Sequence, residues 1–116
     1  MPGKEPVIGA AAAARRLKTI SHWRIDKGWL VRVYKTDGWP STLLVVGAIA
    51  FVAQAANHHP DLQVSWPSVA VRLQTHSAGG LTDKDFELAR KIEETVTWWP
   101  SNGWPGLEGN PKRFVK

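Results

Sequence analysis

The stretch WPSTLLVVGAIAFVAQAAN, residues 39–57, contains no charged side chain and restricts the possible folds more than any other part of the chain. Its Val and Ile content would permit a strand, but an apolar run of roughly fifteen residues rich in alanine favours a helix. Ser41 or Thr42 is the candidate N-cap. Asn57 tolerates the left-handed conformation that closes many helices, and Pro60 prevents continuation. A helix apolar on most faces needs cover on most sides. One sheet covers one side, so self-association is expected to cover another. The most apolar part, 43–53, falls short of the roughly 20 residues that span a bilayer. A place inside a protein or an oligomer is expected, and no membrane partner.

The flanking segments supply the rest of a small domain. GAAAAARRLKTI predicts a first helix over about residues 9–19, with Leu17 and Ile20 turned inward. HWRIDKGWLVRVYK reads as a hairpin around Asp26-Lys27-Gly28, with Trp29, Val31 and Val33 alternating against Leu30, Arg32 and Tyr34. In LQVSWPSVAVRLQTHS a short strand precedes Pro67 and a longer one follows, with Val69, Val71 and Leu73 on one face. Gly79-Gly80 marks a loop. LTDKDFELARKIEETVTWW then predicts a last helix capped by Thr82, with Asp83 and Asp85 in its first turn and Phe86, Ala89, Ile92 and Val96 as its inner stripe.

The order is helix, two strands, helix, two strands, helix. This predicts an α+β fold, α-β-β-α-β-β-α, with helices on one face of a four-stranded antiparallel sheet. Residues 1–98 are expected to form one domain behind a short leader. The tail, 99–116, is too rich in Pro and Gly for regular structure, although Trp104, Leu107 and Phe114 would allow it to pack as an arm. At 116 residues the chain suits a single small domain.

Several function classes recede at this stage. The chain has no cysteine, which excludes disulfides and thiolate metal sites and agrees with a reducing cytoplasm. The N-terminus lacks the basic start and apolar core of a signal peptide. A formal charge of +5 and seven tryptophans raise the question of nucleic acid. The basic residues are scattered, however, apart from Arg15-Arg16 and Lys112-Arg113, and no nucleic-acid motif accompanies them.

The chemistry-bearing residues collect in the second half. His58 and His59 are adjacent before Pro60, and His76 would meet them in one cleft if the last strand runs back beside the end of the second helix. Three imidazoles can bind zinc. Against this, adjacent side chains diverge, and metal-binding pairs usually sit where both rings point one way. Cationic or polar residues at a helix C-terminus are a simpler account of the pair. Asp85, three residues after Thr82, reads equally as part of a capping box. Trp66 reads as sheet core. His22 has no companion and receives no role.

The ordered set His58-His59-Pro60, Trp66, His76 and SAGGLTDKD reaching Asp85 resembles the pterin-4a-carbinolamine dehydratase family. There a His-His-Pro turn, an aromatic, a third His and an Asp recur in this order at matching separations. The likeness runs from the first helix to about Thr97. It implies the fold predicted above, a homodimer or homotetramer, and no metal or other cofactor. It places His58, His59 and His76 at the catalytic positions, and Asp85 and Trp66 at substrate-binding ones. The implied reaction removes water from a 4a-hydroxytetrahydropterin to give a quinonoid dihydropterin, in tetrahydrobiopterin recycling. A non-catalytic scaffold or regulatory factor on the same fold is the competing reading. One departure stands out: Gln54, four residues before His58, occupies a position where the family usually has an ionisable residue.

Overall fold

The computed structural model describes residues 6–100 and 106–116. Its elements are α1 (Ala10–Leu17), β1 (Arg24–Asp26), β2 (Trp29–Lys35), α2 (Trp39–Ala56), β3 (Asp61–Ser65), β4 (Ser68–Leu73), a 3₁₀ turn (His76–Ala78) and α3 (Asp83–Val96). The strands form one antiparallel sheet in the order β1-β2-β4-β3. The predicted element order therefore holds. The β1–β2 hairpin turns through Lys27 and Gly28, both at positive φ (50° and 84°). Such a turn matches the twist of the flanking strands, and glycine adopts it without strain.

Register decides which face of β2 is buried. Leu30, Arg32 and Tyr34 lie opposite Leu73, Val71 and Val69, and these residues face the helices. Against them α2 packs Val45, Ile49 and Val52, and α3 packs Phe86, Ala89 and Ile92. Among the described residues no helix lies on the opposite face, which carries Trp29, Val33, Ala70 and Arg72. The cap of α2 lies three residues before Ser41 and four before Thr42, the two predicted caps. Gly38 is its N-cap and Pro40 lies in the first turn, where no amide donor is needed. Ser41 and Thr42 are buried inside the helix instead. The Thr42 hydroxyl donates to the Trp66 carbonyl at 2.7 Å and pairs with Thr36 Oγ1 at 2.6 Å.

α2 is long and apolar enough, by length and composition, to cross a membrane. Its Val45–Ile49–Val52 stripe nevertheless forms the core of the domain, which is incompatible with lipid on all sides. Its outer stripe, including Leu43, Leu44 and a Phe51 that is 76% exposed, lies uncovered.

From Gly106 onward the tail is anchored rather than free. Val115 bridges Thr36, and the Lys116 amide donates to the Lys35 carbonyl at 2.8 Å. Lys112 pairs with Asp37 at 2.9 Å, and Phe114 meets the Trp99 ring edge-on at 5.1 Å. Leu107 is exposed, and Trp104 lies outside the described residues.

A polar cluster reaches into the core from α3. Glu93 of α3 accepts from Trp23 Nε1 at 2.9 Å and the Tyr34 hydroxyl at 2.7 Å, both on Oε1, and from Arg32 through a two-pronged pair at 2.9 and 3.0 Å. Burial works against the Glu93 carboxylate, but the bonds from Arg32, Tyr34 and Trp23 outweigh it and hold its pKa below the usual carboxylate range. Burial and the nearby carboxylate push the Tyr34 hydroxyl far above its ordinary value, so it remains a donor. With a folded-state pKa below the unfolded one, the Glu93 contribution is complete above the unfolded value and disappears as pH falls through the folded one. Replacing Glu93 by Ala would leave Arg32 and the Tyr34 hydroxyl unpaired and should cost about 3 kcal/mol, measured by urea unfolding near neutral pH. The deficit against the wild type should shrink as pH falls through the carboxylate range.

Candidate active site

Two helix ends meet where the chemistry-bearing residues gather. α2 closes through Asn57 at φ 53°, and the His58 amide donates back to the Ala53 carbonyl at 3.2 Å. This left-handed closure turns His58 towards the N-terminus of α3. There the Thr82 hydroxyl accepts from the Lys84 amide at 3.2 Å, while the Thr82 amide donates to Asp85 Oδ2 at 2.9 Å, forming the predicted capping box.

Asp85 does more than cap. Its side chain has no exposed surface, and its other oxygen, Oδ1, lies 2.7 Å from Nε2 of His58, whose side chain is 15% exposed. Oδ2 also accepts the Thr75 hydroxyl at 2.7 Å. Three donors thus converge on one carboxylate. Since it accepts, the His58 proton on this side sits on Nε2, which leaves Nδ1 as the ring's available lone pair. The two readings of Asp85 are therefore both satisfied, one by each oxygen. The Asp85 carboxylate, expected to bind substrate, has no exposed surface in this chain.

The other expected residues are placed differently. His59 is exposed, and its Nε2 lies 2.9 Å from Oε1 of Gln54, one turn back on α2. His76 is exposed in the 3₁₀ turn, with its ring against Trp29 at 5.7 Å and 74° between planes. The Arg72 guanidinium covers the Trp29 ring at 4.5 Å. The expected cleft of three imidazoles is thus not closed by direct contact. His58 and the segment preceding His76 are joined instead through Asp85 and Thr75. Among the described residues no group of three or more His, Asp or Glu side chains could hold a metal ion.

Trp66 departs furthest from expectation. It lies in the turn between β3 and β4, at the opposite end of β3 from His59, and is 66% exposed. The length of β3 puts roughly 17 Å between them, so within this chain Trp66 neither walls the histidines nor fills the sheet core. Sequence reasoning missed Thr75, Trp29 and Arg72. The alternation of β2 and β4 was the one signal that could have placed Trp29 and Arg72 on a common face.

Beside His58 lies a groove of about 580 Å³ between the last turns of α2 and the first of α3, walled by Phe51, Val52, Ala55, Lys84 and Leu88. Its size and largely apolar lining suit a small flat molecule. One imidazole with a fixed tautomer at its rim can take up or release a proton.

Known proteins resemble this chain in sequence and in fold. Residues 6–95 match the family model described as pterin 4 alpha carbinolamine dehydratase. A protein of Aquifex aeolicus named "Putative pterin-4-alpha-carbinolamine dehydratase" is 44% identical over 82 residues, covering 71% of this chain and 83% of that protein. One of the same name from Chloroflexus aggregans is 45% identical over 90 residues, covering 77% and 96%. The crystal structure of a transcriptional coactivator/pterin dehydratase from Brucella melitensis shares the fold, with a TM-score of 0.73 at 24% identity over 78% of this chain and 98% of that one.

Asp85→Asn tests the double duty of the carboxylate. Asparagine retains an oxygen for the cap but places an amide where one acceptor is needed, so a loss of about 1 to 3 kcal/mol is expected by urea unfolding. The His58 side-chain N–H should exchange faster with solvent in the same variant.

Proposed function

This chain belongs to the pterin-4a-carbinolamine dehydratase family, and from that premise we propose that it converts a 4a-hydroxytetrahydropterin to a quinonoid dihydropterin in tetrahydrobiopterin recycling. The carbon–oxygen bond at C4a breaks as the N5 lone pair forms a C4a=N5 double bond. The hydroxyl leaves as water after gaining a proton, and N5 gives up its own. The reaction needs one acid and one base, and its balance calls for neither a redox cofactor nor a metal.

The buried His58–Asp85 pair at the groove carries this reading. With Nε2–H held by Asp85, His58 presents a basic Nδ1 and is suited to take the N5 proton. His76 then supplies the proton to the leaving hydroxyl, and His59 orients the substrate. Imidazole fits both roles, because its ordinary pKa near 6.5 lets it hold or release a proton around neutrality. Gln54 cannot exchange a proton near neutrality, so its part is limited to holding His59.

The partners proposed are the pterin and a second copy of the chain, in a cytoplasmic homodimer or homotetramer, rather than nucleic acid or membrane. The outer stripe of α2 supports association, since Leu43, Leu44 and Phe51 are exposed. Phe51→Lys should shift the sedimentation velocity towards that of a single chain while leaving the far-ultraviolet circular dichroism intact.

Dehydration of freshly made 4a-hydroxytetrahydropterin, followed by ultraviolet absorbance, tests the activity. Wild type should accelerate it, and His58→Ala and His76→Ala should each lower turnover by about a hundredfold or more with the fold intact. Near-normal turnover in both variants would remove the acid–base mechanism. Failure of folded wild type to accelerate the reaction would favour the scaffold reading.

A further inference from the structure

Thr75 stands where three segments meet. Its amide donates to the Gly80 carbonyl at 3.1 Å, and its own carbonyl accepts from Ala78 and Gly79 at 3.0 and 3.1 Å. These bonds form the 3₁₀ turn that presents His76. Its hydroxyl, almost fully buried, points the other way, into the Asp85 carboxylate.

The direction of each bond in this cluster follows from its ends. The Lys84 amide can only donate, and it donates to Thr82 Oγ1. The Asp85 carboxylate accepts, and it receives the Thr75 proton. The 2.8 Å contact between the two threonine hydroxyls therefore runs from Thr82 to Thr75. The result is a one-way chain: Lys84 N–H to Thr82 O–H to Thr75 O–H to Asp85 Oδ2. Every hydroxyl gives one bond and takes one, and no buried side-chain polar atom among the described residues lacks a partner. Such chains polarise one another and hold their members in one arrangement.

We propose that Thr75 is a positioning residue for His58, acting through Asp85. With Oδ2 held by the Thr75 hydroxyl and the Thr82 amide, rotation of the carboxyl group is blocked. Oδ1 is thereby aimed at His58 Nε2, and the imidazole is held in one orientation at the edge of the groove. Without the hydroxyl, the carboxyl group can turn and the imidazole loses its single orientation. The kinetic part of the inference rests on the dehydratase reading, whereas its spectroscopic part does not.

The test compares wild type with Thr75→Val, which retains the shape but loses the hydroxyl, and Thr75→Ser, which restores it. In nitrogen-15 histidine NMR, the wild type should show a slowly exchanging His58 Nε2–H. That signal should be lost in Thr75→Val and return in Thr75→Ser. In the dehydration assay, Thr75→Val should lower kcat by roughly ten- to a hundredfold at unchanged KM, as a misoriented catalytic group does. Thr75→Ser should recover most of it. A Thr75→Val protein that is merely less stable, with the wild-type His58 signal and kcat, would overturn the proposal. If the valine variant does not fold, Thr75→Ala carries the same comparison. If wild type does not dehydrate the pterin, the dehydratase reading falls and the His58 signal alone decides the role of Thr75.

Discussion

A single buried carboxylate ties the C-terminal half of this molecule together. Asp85 gives one oxygen to the helix it caps and the other to a histidine that ends a different helix. A carboxylate without surface exposure is stable only when its lone pairs are met by donors, and here the donors come from the end of α2, the segment after β4 and the start of α3. Removing any one donor would leave the charge under-satisfied. The arrangement of these three segments is therefore mutually determined, and the orientation of His58 comes with it. Stability and the proposed catalysis draw on the same bonds, so selection for either preserves both.

The sheet and α2 create the conditions for that carboxylate. With helices on one face only, β2 and β4 alternate between core residues and an open face where Trp29 and Arg72 stack. The Glu93 cluster places a second, half-buried carboxylate about two turns further along α3. The two carboxylates solve burial in different ways. Glu93 is matched by a full positive charge and two neutral donors, which suits a structural tie. Asp85 is matched only by neutral hydroxyl and amide donors plus an imidazole, which leaves the imidazole as the one partner able to change its protonation.

Much of this was legible in the sequence because it is local. Asn57 before His58-His59-Pro60 announced a helix end, Thr82 announced a helix start, and alternation located four strands. The start of α2 was misplaced because Ser41 and Thr42 have the chemistry of caps, yet both are buried inside the helix and Thr42 gives its hydroxyl to the Trp66 carbonyl. The role of Thr75 was invisible, since nothing in a strand-like run distinguishes a threonine that faces a carboxylate ten residues ahead. The sheet-core reading of Trp66 failed for the opposite reason. Its spacing in the motif is regular, but a proline beside it makes the position a hairpin turn, at the far end of the strand from the histidines. Family likeness carried the order of the site residues, and only three-dimensional placement separated the one that binds Asp85 from those with other neighbours.

The anchored tail has a consequence for how this chain behaves in company. β1 has three residues and reaches only as far as Val31, so the second half of β2 would otherwise present free backbone donors and acceptors along its outer side. The Val115 bridge to Thr36 and the Lys116 bond to Lys35 occupy the end of that row. An unpaired strand edge is a template on which another chain can add. The last residues of the tail act as a stopper at the end of that edge and leave less of it open to strand pairing.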